Sequence, residues 1–326
     1  MERLTKYDRE QIEHHLRAGL SIRAIARLMG RDHSVIVREL KRNRSPHFAY
    51  VSKKADYFSN RRAKNTNKRK LEKNEKLYDY VLKCLGKDWS PEEISGRLKK
   101  HSSPKLKGQT ISHEAIYQFI YKEEPWLYHK LRYKRYDRQK HYSRKPRKVS
   151  IPERISIHER PEVINKRFEV GHFESDSMIC KGKKEAISVQ YERSIQLVRI
   201  HKIQGFNAPE TKEALKQTIW SLPDNFVKSI TFDNGGEGAK HHEIKKEFNI
   251  KTYFCDAYAA WQKGGVENAN SRLRQYLPRD TNLKNITDDQ IYEIQERLND
   301  RPRKGLNYKT PNEKLTEFIQ SGALNS

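Results

Sequence analysis

Phe168-Glu169-Val170-Gly171-His172-Phe173-Glu174-Ser175-Asp176-Ser177-Met178-Ile179-Cys180 is the stretch on which the fold turns. It has the length of a β-strand and carries a carboxylate, Asp176, in its interior. Two more strand-length apolar runs follow at Ala186–Tyr191 and Ile195–Ile203. Farther on the pattern alternates. A helix is expected over Ala208–Trp220, a strand over Val227–Phe232, a helix over Lys240–Phe248, a strand over Lys251–Cys255 and a helix from about Gly264. Three consecutive strands followed by alternation predict a mixed α/β sheet.

Within that sheet, three acids fall at informative places. Asp176 lies in the first strand, and Asp233 stands just past the fourth, in Phe232-Asp233-Asn234-Gly235. Glu267 falls in the first turn of the helix in Gln262-Lys263-Gly264-Gly265-Val266-Glu267-Asn268. Acids on adjacent strands converge at one end of a sheet, and a helix packed on it can bring a third. Such a group suits two divalent ions about 4 Å apart that clamp an in-line phosphoryl transfer. Carboxylates favour hard ions such as magnesium, with manganese as substitute. The helix supports this placement, because Val266, Ala269, Leu273, Tyr276 and Leu277 form its apolar stripe. Glu267 lies off the stripe, on a polar and basic face with Asn270, Ser271 and Arg274, and Asn270 and Arg274 are expected to contact DNA. Glu174 and Glu237 are expected to brace the site, and His172 to be a packed or hydrogen-bonded strand residue.

The N-terminal half differs in kind. Residues 1–45 are expected to fold as three short helices. Thr5 caps the first, with Asp8 three residues on, and Ser21 caps the second, whose inward face is Ile22, Ile25, Ala26 and Met29. Gly30 permits a tight turn into a third helix, His33–Asn43, with Ile36 and Leu40 inward. Helix, glycine turn, helix is the helix-turn-helix plan, in which the later helix enters the major groove. Ser34, Val35, Val37, Arg38, Lys41 and Arg42 are its expected DNA-facing residues. Residues 46–74 read as a basic linker, a helix or an arm along the phosphate backbone, since 41–73 holds twelve Lys or Arg against two acids and too few apolar residues to fold alone.

A second helical unit is expected over 75–124. Trp89-Ser90-Pro91-Glu92-Glu93 is a strong helix start, and Ser112 opens another helix with Ile116, Phe119 and Ile120 inward. His113, Tyr117 and Gln118 face out, as expected for DNA contacts. Residues 125–160 read as a second basic linker, with ten Lys or Arg between Lys130 and Lys148. The catalytic domain is expected over 161–326, ending in a helical tail.

Bulk composition agrees with this division. The 326 residues carry a net charge of +25, from 67 Lys and Arg against 42 Asp and Glu, which calls for a polyanionic partner such as DNA. Cys84, Cys180 and Cys255 are odd in number and far apart, arguing against both a disulfide framework and a zinc site. No apolar run approaches the roughly 18 residues of a membrane span, and the chain opens on polar residues rather than a signal peptide. A cytoplasmic protein with no membrane partner is expected.

Three blocks resemble those of a known family. Gly171-His172-Phe173-Glu174-Ser175-Asp176, Asp233-Asn234-Gly235-Gly236-Glu237 and Trp261-Gln262-Lys263-Gly264-Gly265-Val266-Glu267-Asn268 are similar to the acid blocks of IS30 family bacterial transposases. The 33 residues between Asp233 and Glu267 match that family's spacing. Asn299-Asp300-Arg301-Pro302-Arg303-Lys304 with Lys309-Thr310-Pro311-Asn312-Glu313 resembles its C-terminal signature. Leu20–Ala26 with Arg38-Glu39-Leu40 looks like its first helix-turn-helix, and Trp89–Ile94 with Ile111–Tyr117 like its second. Ser175, Gly238 and Val266 depart from the family pattern without removing an acid.

The resemblance implies N-terminal helix-turn-helix units and an integrase-like, ribonuclease-H-like catalytic domain of the DD(E) type. It implies Asp176, Asp233 and Glu267 as catalytic and metal-holding residues, magnesium as cofactor, and cleavage and joining of double-stranded DNA at terminal inverted repeats. It further implies a circular DNA intermediate. A homodimer or higher oligomer on DNA is expected, since two ends must meet. Two other classes stay open: a catalytically silent DNA-binding regulator derived from a transposase, and a metal-dependent nuclease.

Overall fold

The computed structural model describes residues 3–44, 49–67, 70–131, 153–182, 185–257 and 259–322. It divides into two units, residues 1–78 and 79–326.

In the first unit, α1 (Lys6–Arg17), α2 (Ile22–Leu28), α3 (His33–Asn43) and α4 (Ser52–Asn67) precede a single turn, α5 (Lys70–Lys73). The cap at Thr5 is a reciprocal capping box: Thr5 Oγ1 accepts from the Asp8 amide at 3.1 Å, and the Asp8 carboxylate accepts from the Thr5 amide at 2.8 Å. Ser21 caps α2, and Asp32 caps α3 by accepting from the Ser34 amide. Ile12, Ile25, Ala26, Ile36 and Leu40 close a small core.

Two expectations are corrected here. Val35 does not face outward freely; it sits half-buried against this core, at the margin of the stripe that Ile36 and Leu40 define. Residues 46–74 are not simply an arm, because α4 lies within them and Tyr50 and Ala55 enter the core. Buried polar contacts make up for the scarcity of apolar residues. The Arg9 guanidinium, 3% exposed, donates to Glu39 at 3.0 Å, to Asp56 at 3.1 Å, to Ser59 at 2.8 Å and to the Leu4 carbonyl at 2.8 Å. Glu39 also accepts from Tyr50 Oη and Asn43.

The second unit takes up the chain within α6 (Glu75–Gly86), followed by α7 (Pro91–Lys100) and α8 (His113–Lys122). Ser90 and Glu93 form the expected capping box of α7, and Ser112 caps α8. Beyond Leu131 the basic stretch to Lys148, read as a DNA-binding linker, lies outside the described residues. The short α9 (Glu162–Asn165) leads into the sheet.

Five strands, β1 (His172–Ile179), β2 (Ala186–Glu192), β3 (Val198–Ile203), β4 (Ser229–Phe232) and β5 (Lys251–Phe254), pair in the order β3-β2-β1-β4-β5. Only β2 runs antiparallel to the rest. β1 is shorter than the apolar run suggested. Gly171 turns the chain at φ +106°, and Phe168 before it is 77% exposed. β3 starts at Val198 rather than Ile195, since the chain turns through Gln196 at φ +59°.

Helices cover both faces, so every residue of β2 is buried. On one face, α12 (Gly264–Leu273) and α13 (Asp288–Asn299) pack Val266, Ala269, Leu273, Ile291 and Leu298 onto Met178, Val189 and Ile200. On the other, α10 (Ala208–Trp220) and α11 (His241–Phe248) pack Leu215 and Ile244 onto Phe173, Ile230 and Phe254. The last helix, α14 (Pro311–Gln320), adds Leu315 and Phe318 to this second face. Among the described residues, no strand lies beyond β3, and α13 supplies partners instead. Asn299 accepts from the Val198 amide at 2.9 Å and donates to its carbonyl at 2.8 Å, while Gln295 accepts from the Ile200 amide.

The α7–α8 segment is joined to the C-terminal part of this unit. Gly96 of α7 lies so close to the Tyr308 ring that a Cβ there would overlap it. Arg97 donates to the Tyr308 carbonyl at 2.9 Å and to Glu313 at 2.7 Å, and Arg301 donates to Glu93 at 3.1 Å. Tyr276 Oη donates to Asp88 at 3.2 Å.

Candidate active site

Because β1 and β4 are parallel neighbours, their acids come together. β4 pairs with His172–Glu174 only, so Asp176 lies beyond the paired part of β1 while Asp233 follows the end of β4. The alternation of β1 sorts its side chains. Glu174, Asp176 and Met178 meet α12, whereas Phe173 joins the opposite core and Ser177 donates to Glu237.

Each aspartate is held. Asn270 of α12 donates to Asp176 Oδ2 at 2.6 Å, and the Gly235 amide donates to Asp233 Oδ1 at 2.7 Å. Lys263, at the start of α12 and 5% exposed, joins the two. Its Nζ lies 3.1 Å from Asp176 Oδ1, 3.3 Å from Asp233 Oδ2 and 3.0 Å from the Ser175 carbonyl. Burial alone would lower its pKa, but the charges of Asp176 and Asp233 outweigh that and raise it, keeping the ammonium charged.

Glu174 fixes α12 from below. Fully buried, it pairs with Arg193 and accepts from the Val266 amide at 2.9 Å, one of the free donors of the helix N-terminus. Gly265 makes room for this, since a Cβ there would meet the Tyr191 ring and the Glu174 carboxylate. Glu237 stands on the other side of β1. Burial pushes its carboxyl up to about 7; the Ser177 hydroxyl opposes that rise, and the charges of Asp233 and Asp176 add to it. His172 is buried between Ser229 and Glu169, and burial lowers its pKa.

Glu267 is exposed on α12, one turn before Asn270. Among the described residues, no three of His, Cys, Asp and Glu are gathered closely enough to hold a metal ion. The donor set around the aspartates nevertheless fits a hard cation. Two carboxylates already accommodate a positive charge between them, and the buried Oδ1 atoms of Asn234 and Asn270 have no hydrogen-bond partner.

Two residues of α12 expected to face DNA do other work here. Asn270 is bound to Asp176, and Arg274 donates to the Ile179 carbonyl at 2.6 Å and to Cys180 Sγ, bracing the end of β1. On α3, Val37, Lys41 and Arg42 are exposed, while Arg38 folds back onto the Ser34 carbonyl and hydroxyl. On α8, His113 and Gln118 are exposed, and Tyr117 is half-buried and stacked on Tyr121. Lys263 was missed from the sequence. The signal was there: two acids on adjacent strands need a counter-charge, and Lys263 is the lysine nearest Glu267 in its block.

An N-terminal helix-turn-helix segment and, farther along the chain, a mixed α/β sheet with two aspartates at its central parallel strands point to a DNA-processing enzyme. Residues 2–43 match the family described as a helix-turn-helix domain. The chain is 36% identical over 318 residues to transposase InsI of insertion sequence element IS30A from Escherichia coli strain K12, covering 95% of this chain and 82% of that one. It is 34% identical to the transposase of IS4351 from Bacteroides fragilis, over 98% of each chain. It is 33% identical to that of IS1086 from Cupriavidus metallidurans, over 97% and 96%. The chain belongs to the IS30 family of transposases. Among solved structures, it is similar to the catalytic core domain of BIV integrase, at 21% identity and a TM-score of 0.38, covering 48% of this chain and 99% of that one. Among the described residues, no helix is long and apolar enough to cross a membrane.

Proposed function

We propose that the protein is a DD(E) transposase that binds the terminal inverted repeats of an insertion sequence and cuts and joins DNA with Asp176, Asp233 and Glu267. The observation that carries this reading is the meeting of Asp176 and Asp233 beneath α12, the helix that bears Glu267. The two aspartates, with Glu267, would hold magnesium or manganese. Two divalent ions so held supply activation of a water or 3′-hydroxyl and neutralise the leaving oxygen of an in-line displacement. The chain's own residues prepare for this. Asn270 and the Gly235 amide orient the two aspartates, and Glu174 pins the N-terminus of α12 so that Glu267 has a fixed base. The exposed basic residues of α3 and the outer residues of α8 read the ends. Two copies bring two ends together, and joining them gives a circular intermediate.

The test is cleavage of DNA bearing the element's own ends by the full-length protein. Nicking and joining are expected with magnesium or manganese and not with EDTA. Asp176→Asn and Glu267→Gln are each expected to lower the rate by about a thousandfold or more, some 4 kcal/mol of transition-state stabilisation, and to leave footprints on the repeats intact. A wild-type protein that protects the repeats but never cuts them in either metal would be a silent regulator. Cutting without preference for the repeats would mark a general nuclease.

A further inference from the structure

The ammonium of Lys263 has three N–H donors and three acceptors: Asp176, Asp233 and the Ser175 carbonyl. It is almost wholly buried, and it reaches the acid pair from the 3₁₀ turn Ala260–Lys263 that opens α12. A surface lysine would leave its charge in water; this one places it between two carboxylates that the proposed chemistry needs for metal. The two uses compete, because a divalent ion bridging Asp176 Oδ1 and Asp233 Oδ2 would lie close to the ammonium that now bridges them, and like charges repel.

We propose that Lys263 is a built-in counter-ion that occupies the cation position of the Asp176–Asp233 pair and must be displaced before a divalent metal enters. The inference rests on the reading of this pair as a metal site. Lys263 keeps two like charges on adjacent strands from repelling each other in the metal-free protein. The same contact holds metal affinity down, since each ion that binds must first break the three contacts of the ammonium. Displacement frees a cation at the start of α12, four residues before Glu267. A DNA phosphate arriving there offers the ammonium a new acceptor, so DNA and metal binding reinforce each other.

The experiment is titration of the full-length protein with manganese in the absence of DNA, following free ion by its paramagnetic resonance signal. Lys263→Met is expected to bind manganese about tenfold tighter or more than wild type, within the usual range of coupling between sites. Asp176→Asn is expected to abolish that binding in both backgrounds. The metal-free Lys263→Met protein is expected to melt below wild type and to recover on adding manganese. Lys263→Gln, which keeps a donor but removes the charge, covers the case in which the methionine variant fails to fold, and it is expected to tighten binding likewise. A folded Lys263→Met or Lys263→Gln protein that binds manganese no tighter than wild type overturns the proposal and leaves Lys263 as a mere brace between α12 and β1. If neither wild type nor variant shows a manganese site that depends on Asp176, the metal reading of the acid pair falls with it.

Discussion

The helix-turn-helix segment of the first unit and the α7–α8 pair of the second are built on different principles. The first closes its own core, and its helices are tied by Arg9 and Glu39, two charges buried against each other within residues 3–67. The second has a reciprocal cap and a buried stripe of its own, yet α7 turns other residues onto the C-terminal part of its own unit. Glu93 shows the contrast best. It caps α7 by accepting from the Ser90 amide and also receives Arg301. One segment closes a core of its own; the other is part of the unit that holds Asp176 and Asp233. The position of α8 relative to Asp176 and Asp233 is therefore set by packing, within a single unit.

This contrast can be broken most forcefully at Arg9. Replacing it with methionine leaves Glu39 buried without its partner and is expected to cost about 3–5 kcal/mol. The loss should appear in urea unfolding of the first unit, followed by amide exchange, with the exchange of β1–β5 unchanged. A matching loss of protection in the sheet would show that the first unit is not self-contained.

Next in size is a pH effect confined to the second unit. Burial pushes Glu192 up to about 7, against the amides of Gly171 and Ile195 that favour its charged form. A carboxyl raised above its unfolded value contributes stability at pH below about 4.5 that is lost as pH climbs to about 7. Relative to Glu192→Gln, wild type is expected to lose about 3 kcal/mol across that window. Taking the difference between the two proteins removes opposing titrations such as that of His201, which burial lowers to about 4. A flat difference between pH 4.5 and 7 would mean Glu192 is already ionised in the fold.

The smallest expected effect is at Gly96. Alanine there must push the Tyr308 ring aside, at about 1–3 kcal/mol, and Tyr308→Ala in the same protein should return most of that loss. A thermal melt resolves the pair. If Gly96→Ala is neutral, the α7 contact is looser than its geometry and the comparison between the two segments weakens.

Much of this was legible in the chain. Capping boxes at Thr5 and Ser90 are local chemistry and need no tertiary knowledge, and the range Ala208–Trp220 is bounded by Asn207 before it and Ser221 after. The strands were visible as apolar runs, and β2 and β5 start where expected, but the starts of β1 and β3 were not visible, because Gly171 and Gln196 bend the chain inside those runs. The placement of Asp176 and Asp233 followed from strand order. What sequence could not supply was which polar residue meets which. Asn270 and Arg274 share a face with Glu267 and read as DNA contacts, yet one bonds Asp176 and the other the end of β1. Periodicity assigns a face to a residue; only the fold decides whether DNA or protein lies opposite.

The amide side chains of Asn299 and Gln295 have a consequence for self-association. They take up backbone groups of β3 that another strand would use, and at the other side of the sheet the Ile155 carbonyl accepts from the Phe254 amide. At both borders, some of the backbone groups by which sheets from separate molecules fuse are thus already taken, at Val198, Ile200 and Phe254. A second copy of the chain could not extend the sheet at these positions without displacing the groups that hold them. On the proposed reading, in which copies assemble on two ends and then let go, a continuous intermolecular sheet would be a trap, and two amides on α13 obstruct it at Val198 and Ile200.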